Sequence, residues 1–157
     1  MGTTKLKKEI PISAKLIAPC GMNCRLCRAY IRKRNPCPGC RVDDDLKPAT
    51  RLRCRIRNCK KMAEADVKYC ICCERLPCKD LKILDKRYRT KYGMSMIENL
   101  GHIGRLGIRH FIKHEKESWR CPECGHMLCV HERHCLYCRY QRPYGCPPAP
   151  RSSLRWP

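Results

Sequence analysis

The clearest period in the chain lies in its middle. Leu81, Leu84 and Tyr88 recur at three- and four-residue intervals, which puts their side chains on one face of a helix. Pro77 stands just ahead, where a first helical turn loses nothing by a missing N–H. A second start follows at Ser95-Met96-Ile97-Glu98, a capping box in which each terminal side chain accepts from the other residue's free amide. Ile97, Leu100 and Ile103 share the next face, Gly104 and Gly107 punctuate it, and Ile108, Phe111 and Ile112 resume the stripe to about Glu117. This pattern predicts a helical hairpin whose apolar face is core. Shorter helices are expected over 25–34, with Leu26, Tyr30 and Ile31 on one side, and over about 53–63. Leu16-Ile17-Ala18 reads as a short strand.

Outside this middle the repeating residue is cysteine. Eleven cysteines fall between Cys20 and Cys78 and six between Cys121 and Cys146, with none from Lys79 to Arg120. Phe111 is the single phenylalanine and the mean hydropathy is −0.60, so a large apolar core is unavailable and cross-links must hold the fold. Seventeen is an odd number, and Met1–Lys8 lacks the apolar core of an export signal. Metal ligation in a reducing, cytoplasmic setting is therefore expected over disulfides. No stretch has the length and apolarity of a membrane span. The fold class this implies is a small metal-stabilised α+β protein. Its expected segments are a basic lead-in (1–19), a Cys-rich metal module (20–80), the helical segment (81–118), a zinc ribbon (119–142) and a Pro/Arg-rich extended tail (143–157).

The sharpest motif is Cys121-Pro122-Glu123-Cys124-Gly125, followed after ten residues by Cys135-Leu136-Tyr137-Cys138. Each C-x-x-C turn aims two thiolates at one ion, and Gly125 is free to take the positive φ needed after the second ligand. Two such knuckles form a closed four-thiolate zinc ribbon, with no open position for catalysis. Cys129 and His131 between them are candidates for an extra metal contact, alongside His134. In the amino-terminal module the candidate ligands are Cys20, Cys24, Cys27, Cys37, Cys40, Cys54, Cys59, Cys70, Cys73 and Cys78. The simplest partition joins Cys24, Cys27, Cys37 and Cys40 in one site and four of the last five in another, but cross-braced pairings are equally legal. Cys72 and Cys146 read as spectators. The implied cofactors are two to three Zn2+ ions. An alternative is a [4Fe–4S] cluster on Cys20, Cys24 and Cys27, whose C-x3-C-x2-C spacing leaves one iron open.

Several of these residues resemble a family of small Cys-rich bacterial and archaeal proteins known only as a domain of unknown function. The resembling elements are Cys20-Gly21-x-x-Cys24-x-x-Cys27-x-x-Tyr30, Cys37-x-Gly39-Cys40, Cys54-x-Ile56-Arg57-x-Cys59 and Tyr69-Cys70-x-x-Cys73-x-x-x-Pro77-Cys78. The resemblance covers about residues 18–85. The helical middle and the Trp119-x-Cys121-Pro122-x-Cys124-Gly125 element resemble longer members with an added zinc ribbon. It implies metal binding and no established activity.

Charge narrows the partner. Lys and Arg number 35 against 14 Asp and Glu, a formal charge of +21, and three four-thiolate zinc sites would still leave about +15. Arg51, Arg53, Arg55 and Arg57 alternate around Cys54, with Lys60 and Lys61 close behind. Guanidinium groups on a rigid scaffold suit phosphate contacts, and Tyr30, Tyr137, Tyr140, Tyr144 and Trp156 lie near basic residues where they could stack on unpaired bases. The expected partner is RNA or a ribonucleoprotein. Other readings are an iron–sulfur redox protein, or an adaptor docking a protein on the Ile97–Ile112 face. No nucleophile–base pair, carboxylate dyad or phosphate loop is present, so a non-enzymatic role is favoured.

Overall fold

The computed structural model describes residues 11–143. Most of the lead-in, the tail from Tyr144, and with them Cys146 and Trp156, lie outside the described residues. Helices carry the architecture: three short ones, α1 (Arg28–Ile31), α2 (Ala49–Leu52) and α3 (Lys60–Glu64), and two long ones, α4 (Lys79–Tyr92) and α5 (Met96–Ser118). Tight 3-10 turns at Ala14–Leu16, Cys24–Leu26, Asp44–Leu46 and Cys70–Cys72 fill the cysteine-rich part.

Among the described residues β pairing is confined to isolated bridges, Ile17 with Asn23, Arg120 with Met127 and His134 with Gln141. The expected α+β fold is thus corrected to a small, mostly helical one. The reason is geometric. Gly21 turns the chain immediately after Ile17-Ala18, and the knuckle arms run only a few residues before a thiolate turn ends each pairing.

The joint between the long helices is built as the capping box implies. Gly93, at φ 69°, ends α4 in the left-handed region, and Ser95 Oγ accepts from the Glu98 amide at 3.1 Å. A buried acid from α4 completes it: Asp85 Oδ1 accepts from Ser95 Oγ at 2.6 Å and from the Ile97 amide at 3.1 Å. The start of one helix is thereby stapled to the flank of the other.

Helix α5 is the spine of the molecule, and it is broken at Gly107, whose φ of 82° and ψ of 163° are not helical. Before the break Leu100 and Ile103 are buried; after it Phe111 is. The Ile97–Ile112 stripe therefore faces inward. The amino-terminal segment lies on the first half. Asn99 Nδ2 donates to the Gly21 carbonyl at 3.0 Å, and a Cβ on Gly21 would stand 3.1 Å from both Leu100 Cγ and the Met96 carbonyl oxygen. The carboxy-terminal segment docks beyond the second half. There the Leu128 amide donates to the Trp119 carbonyl at 2.8 Å, and the Val130 amide to the Leu26 carbonyl at 2.9 Å. Leu16, Ile17, Leu26, Leu81, Leu100, Phe111, Trp119, Leu128 and Val130 consequently share one core. Among the described residues no helix is long and apolar enough to cross a membrane.

Candidate metal centre

The two carboxy-terminal knuckles are near-copies in backbone. In the first, the Gly125 amide donates to the Cys121 carbonyl at 3.0 Å; in the second, the Arg139 amide donates to the Cys135 carbonyl at 3.1 Å. The residue after each second cysteine takes a positive φ, 75° at Gly125 and 66° at Arg139. These turns bring Cys121, Cys124, Cys135 and Cys138 together with all four sulfurs within 4.8 Å of one another. Cys121 Sγ lies 3.6 Å from Cys138 Sγ, and Cys124 Sγ lies 3.6 Å from Cys135 Sγ. Two thiolates on a tetrahedral zinc stand about 3.8 Å apart, given Zn–S bonds of about 2.3 Å. The donor set and its spacing fit one such ion, and Cys121 and Cys135 are buried at its inner side.

The electrostatics point the same way. Burial pushes the Cys121 thiol up, but amides of Cys124 and Glu123 and the neighbouring thiols outweigh it and bring it down to about 7. Burial, reinforced by the other sulfurs, pushes Cys124 up to about 12. Four thiols this close cannot all ionise unaided, and a divalent cation is what relieves them. Sequence reasoning passed over His126, which the fold sets beside the site. Its Nδ1 is 3.4 Å from Cys124 Sγ, and its ring stacks on Tyr137 at 4.0 Å between centroids. Its place two residues after Cys124 was the available signal.

Cys129 and His131 stand elsewhere. Cys129 is buried and pushed up to about 11 by that burial, outside the four-sulfur group. His131 has both ring nitrogens engaged: Nδ1 accepts from the Arg28 amide at 3.3 Å, so Nε2 carries the proton toward Tyr88 Oη at 3.0 Å. His131 ties the ribbon to α1 and α4. His134 Nε2 accepts from Arg139 Nη1 at 3.1 Å.

The amino-terminal thiols form a looser network. Cys24 hydrogen-bonds Cys40, which lowers Cys40 to about 7, with Lys47, Arg57 and Arg41 assisting against burial. Cys20 stands close enough to Cys40, Cys54 and Cys70 to feel their charge, while Cys27 feels Cys37. Cys59, Cys70, Cys73 and Cys78 line one small cavity of about 40 Å³, and burial, then the charges of Cys78, Cys59 and Cys73, push Cys70 up to about 12. Cys54 and Cys72 are exposed.

The basic candidates divide by role. Arg51, Arg53, Arg55, Lys60 and Lys61 are exposed, Arg55 within 3.5 Å of Asp80. Arg57 is built in: Nε donates to the Cys40 carbonyl at 3.0 Å, Nη1 to Asn58 Oδ1 at 2.9 Å, and Nη2 to Asp44. Arg41, which composition could not single out, braces the module likewise, donating to the Ile17 and Lys68 carbonyls at 2.7 and 2.6 Å.

No curated protein and no solved structure matches the chain. The cysteine-rich stretch with its bracing arginines, residues 16–83, matches the family described as Protein of unknown function (DUF3795), an uncharacterised family.

Proposed function

We propose that this protein is a zinc-scaffolded basic binding protein that contacts single-stranded RNA, free or in a ribonucleoprotein. The observation that carries the reading is the division of labour among its cations. Arg57 and Arg41 are consumed in bracing thiol-bearing loops, yet Arg51, Arg53, Arg55, Lys60 and Lys61 stay exposed on the same rigid module. The four-thiolate group supports a structural ion, because four protein sulfurs close the coordination sphere. Beside it Tyr137 is 60% exposed, with His126 stacked on its ring and Arg139 two residues away, a surface suited to base stacking next to phosphate contacts.

The experiment is fluorescence anisotropy of a labelled single-stranded RNA against the full chain at several salt concentrations. Affinity is expected to fall steeply, with a log–log slope of about −0.7 per phosphate neutralised. The pair Arg51→Ala and Arg53→Ala should shallow that slope by one to two phosphates' worth, on the order of 0.7–1.4, without changing helix content. Absence of binding at low salt, or binding indifferent to salt, overturns the reading.

A further inference from the structure

A second donor cluster lies far from the cysteines, at the break in α5. On a continuous helix of 1.5 Å rise per residue, His102 would stand about 12 Å along the axis from His110. The non-helical Gly107 folds the two halves back instead, and His102 Nε2 comes within 2.8 Å of His110 Nδ1. The His102 ring centroid is 5.1 Å from that of His110 and 4.9 Å from that of His114. His110 and His114 are themselves four residues apart on the second half, the spacing that puts two imidazoles side by side on one helical face, as in helix-borne zinc pairs.

We propose that His102, His110 and His114 form a three-imidazole site for a borderline divalent transition-metal ion, with zinc as the reference case. Two imidazoles on one tetrahedral ion, with Zn–N near 2.05 Å, have ring centroids about 5.2 Å apart and nitrogens about 3.3 Å apart. The two centroid distances from His102 match, and the His102–His110 nitrogen pair must open by about half an ångström; the donor nitrogens of all three rings do not yet lie within 4.8 Å of one another, so binding also turns the His114 ring toward the pair. The exposed His110 ring is free to swing that far. The surroundings are those of an oriented ligand set. His102 is buried with Phe111 edge-on at 5.3 Å, and Ser118 Oγ lies 3.2 Å from His114 Nε2 as an outer partner for that ring. Glu117 lies near His114 and Arg105 near His102. Three nitrogens leave a fourth position, on the exposed side of His110, for water or a further donor. The site is independent of RNA contact.

The test uses the full chain with its thiolates first saturated with zinc, since four-sulfur sites take the ion ahead of imidazole. Further zinc is then titrated while the histidine ring signals are followed by NMR. One additional ion per chain is expected, with the His102, His110 and His114 rings shifting together along one binding curve. His110→Ala, at an exposed position, should fold with unchanged helix content and weaken that curve by roughly tenfold or more, while His134→Ala leaves it intact. Rings of the three residues that do not respond, or a His110→Ala chain that binds the additional ion as before, overturn the assignment.

Discussion

Gly21 shows how much a single position in the cysteine motif is asked to do. It sits at φ 87°, and its missing side chain lets the chain press on α5 at Met96 and Leu100. An alanine there meets both left-handed strain and a contact with backbone that cannot move aside. Gly21→Ala is expected to cost about 2–4 kcal/mol, read as a lower denaturation midpoint of the metal-loaded chain. Glu115 is a second such position. It is buried, the Trp119 indole donates a hydrogen bond to it, and Asn23 Nδ2 donates to Oε2 at 3.2 Å. Burial outweighs both bonds and raises the carboxyl from 4.5 to about 7. The folded state thus keeps a proton that the unfolded chain releases between these values. Its contribution to stability is complete below pH 4.5 and falls as pH rises toward 7. Glu115→Gln removes this dependence: from pH 5 to pH 8 the wild-type chain should lose about 2–3 kcal/mol of unfolding free energy through this group, and the variant should not, measured by denaturant unfolding at the two pH values.

At the scale of elements, the ribbon and the long helices draw on different sources of stability. The knuckles are turns with few apolar contacts of their own, so an ion held by the four sulfurs would be their cross-link. The α4–α5 joint rests on Asp85, Ser95 and buried leucines, none of which touches the four sulfurs. Cys121→Ser is therefore expected to lower bound metal by one ion per chain and to scatter the His126 and Tyr137 signals, while far-UV helix content persists; unchanged metal content would exclude the centre. Within α5 the break depends on a backbone conformation open almost only to glycine. No side chain crowds Gly107, so an alanine there suffers strain alone. Gly107→Ala should cost about 1–3 kcal/mol and drive the residue toward helical geometry, separating His102 from His110. Loss of the ring contacts between them in NMR checks this.

For the whole molecule, the decisive quantity is how much of the +21 charge remains available. Lys47, with a side chain 1% exposed, bonds the Val42 carbonyl and Asp44; Arg142 lies over Trp119 at 4.9 Å and donates to the Val130 carbonyl at 3.0 Å. These cations hold the fold together rather than facing a partner. The exposed ones lie on the family-matching module, along α4 and α5, and on the ribbon. The salt series on the Arg51 and Arg53 variants addresses the first of these groups. The apolar face of α5, the other surface offered for a partner, packs against the chain's own Gly21 and Ile71, with Leu100, Ile103 and Phe111 buried.

Spacing along the chain was enough to find the four-thiolate knuckles, the Ser95 cap and the two long helices, because each depends on partners no more than seventeen residues away. Cap and knuckle geometry are local chemistry, and local chemistry is legible in one dimension. The sequence also set the charge, but not which arginines are free. That division, like the choice of Cys59, Cys70, Cys73 and Cys78 to surround one cavity, required segments far apart in the chain to meet. The short strand foreseen at Leu16-Ile17-Ala18 shrank to a single bridge for the same reason, since the turn at Gly21 and packing against α5 ended it early. The histidine cluster lay furthest from reach. His102 and His114 are twelve residues apart, on what periodicity reads as one stripe, and only the left-handed turn at Gly107 brings their rings together.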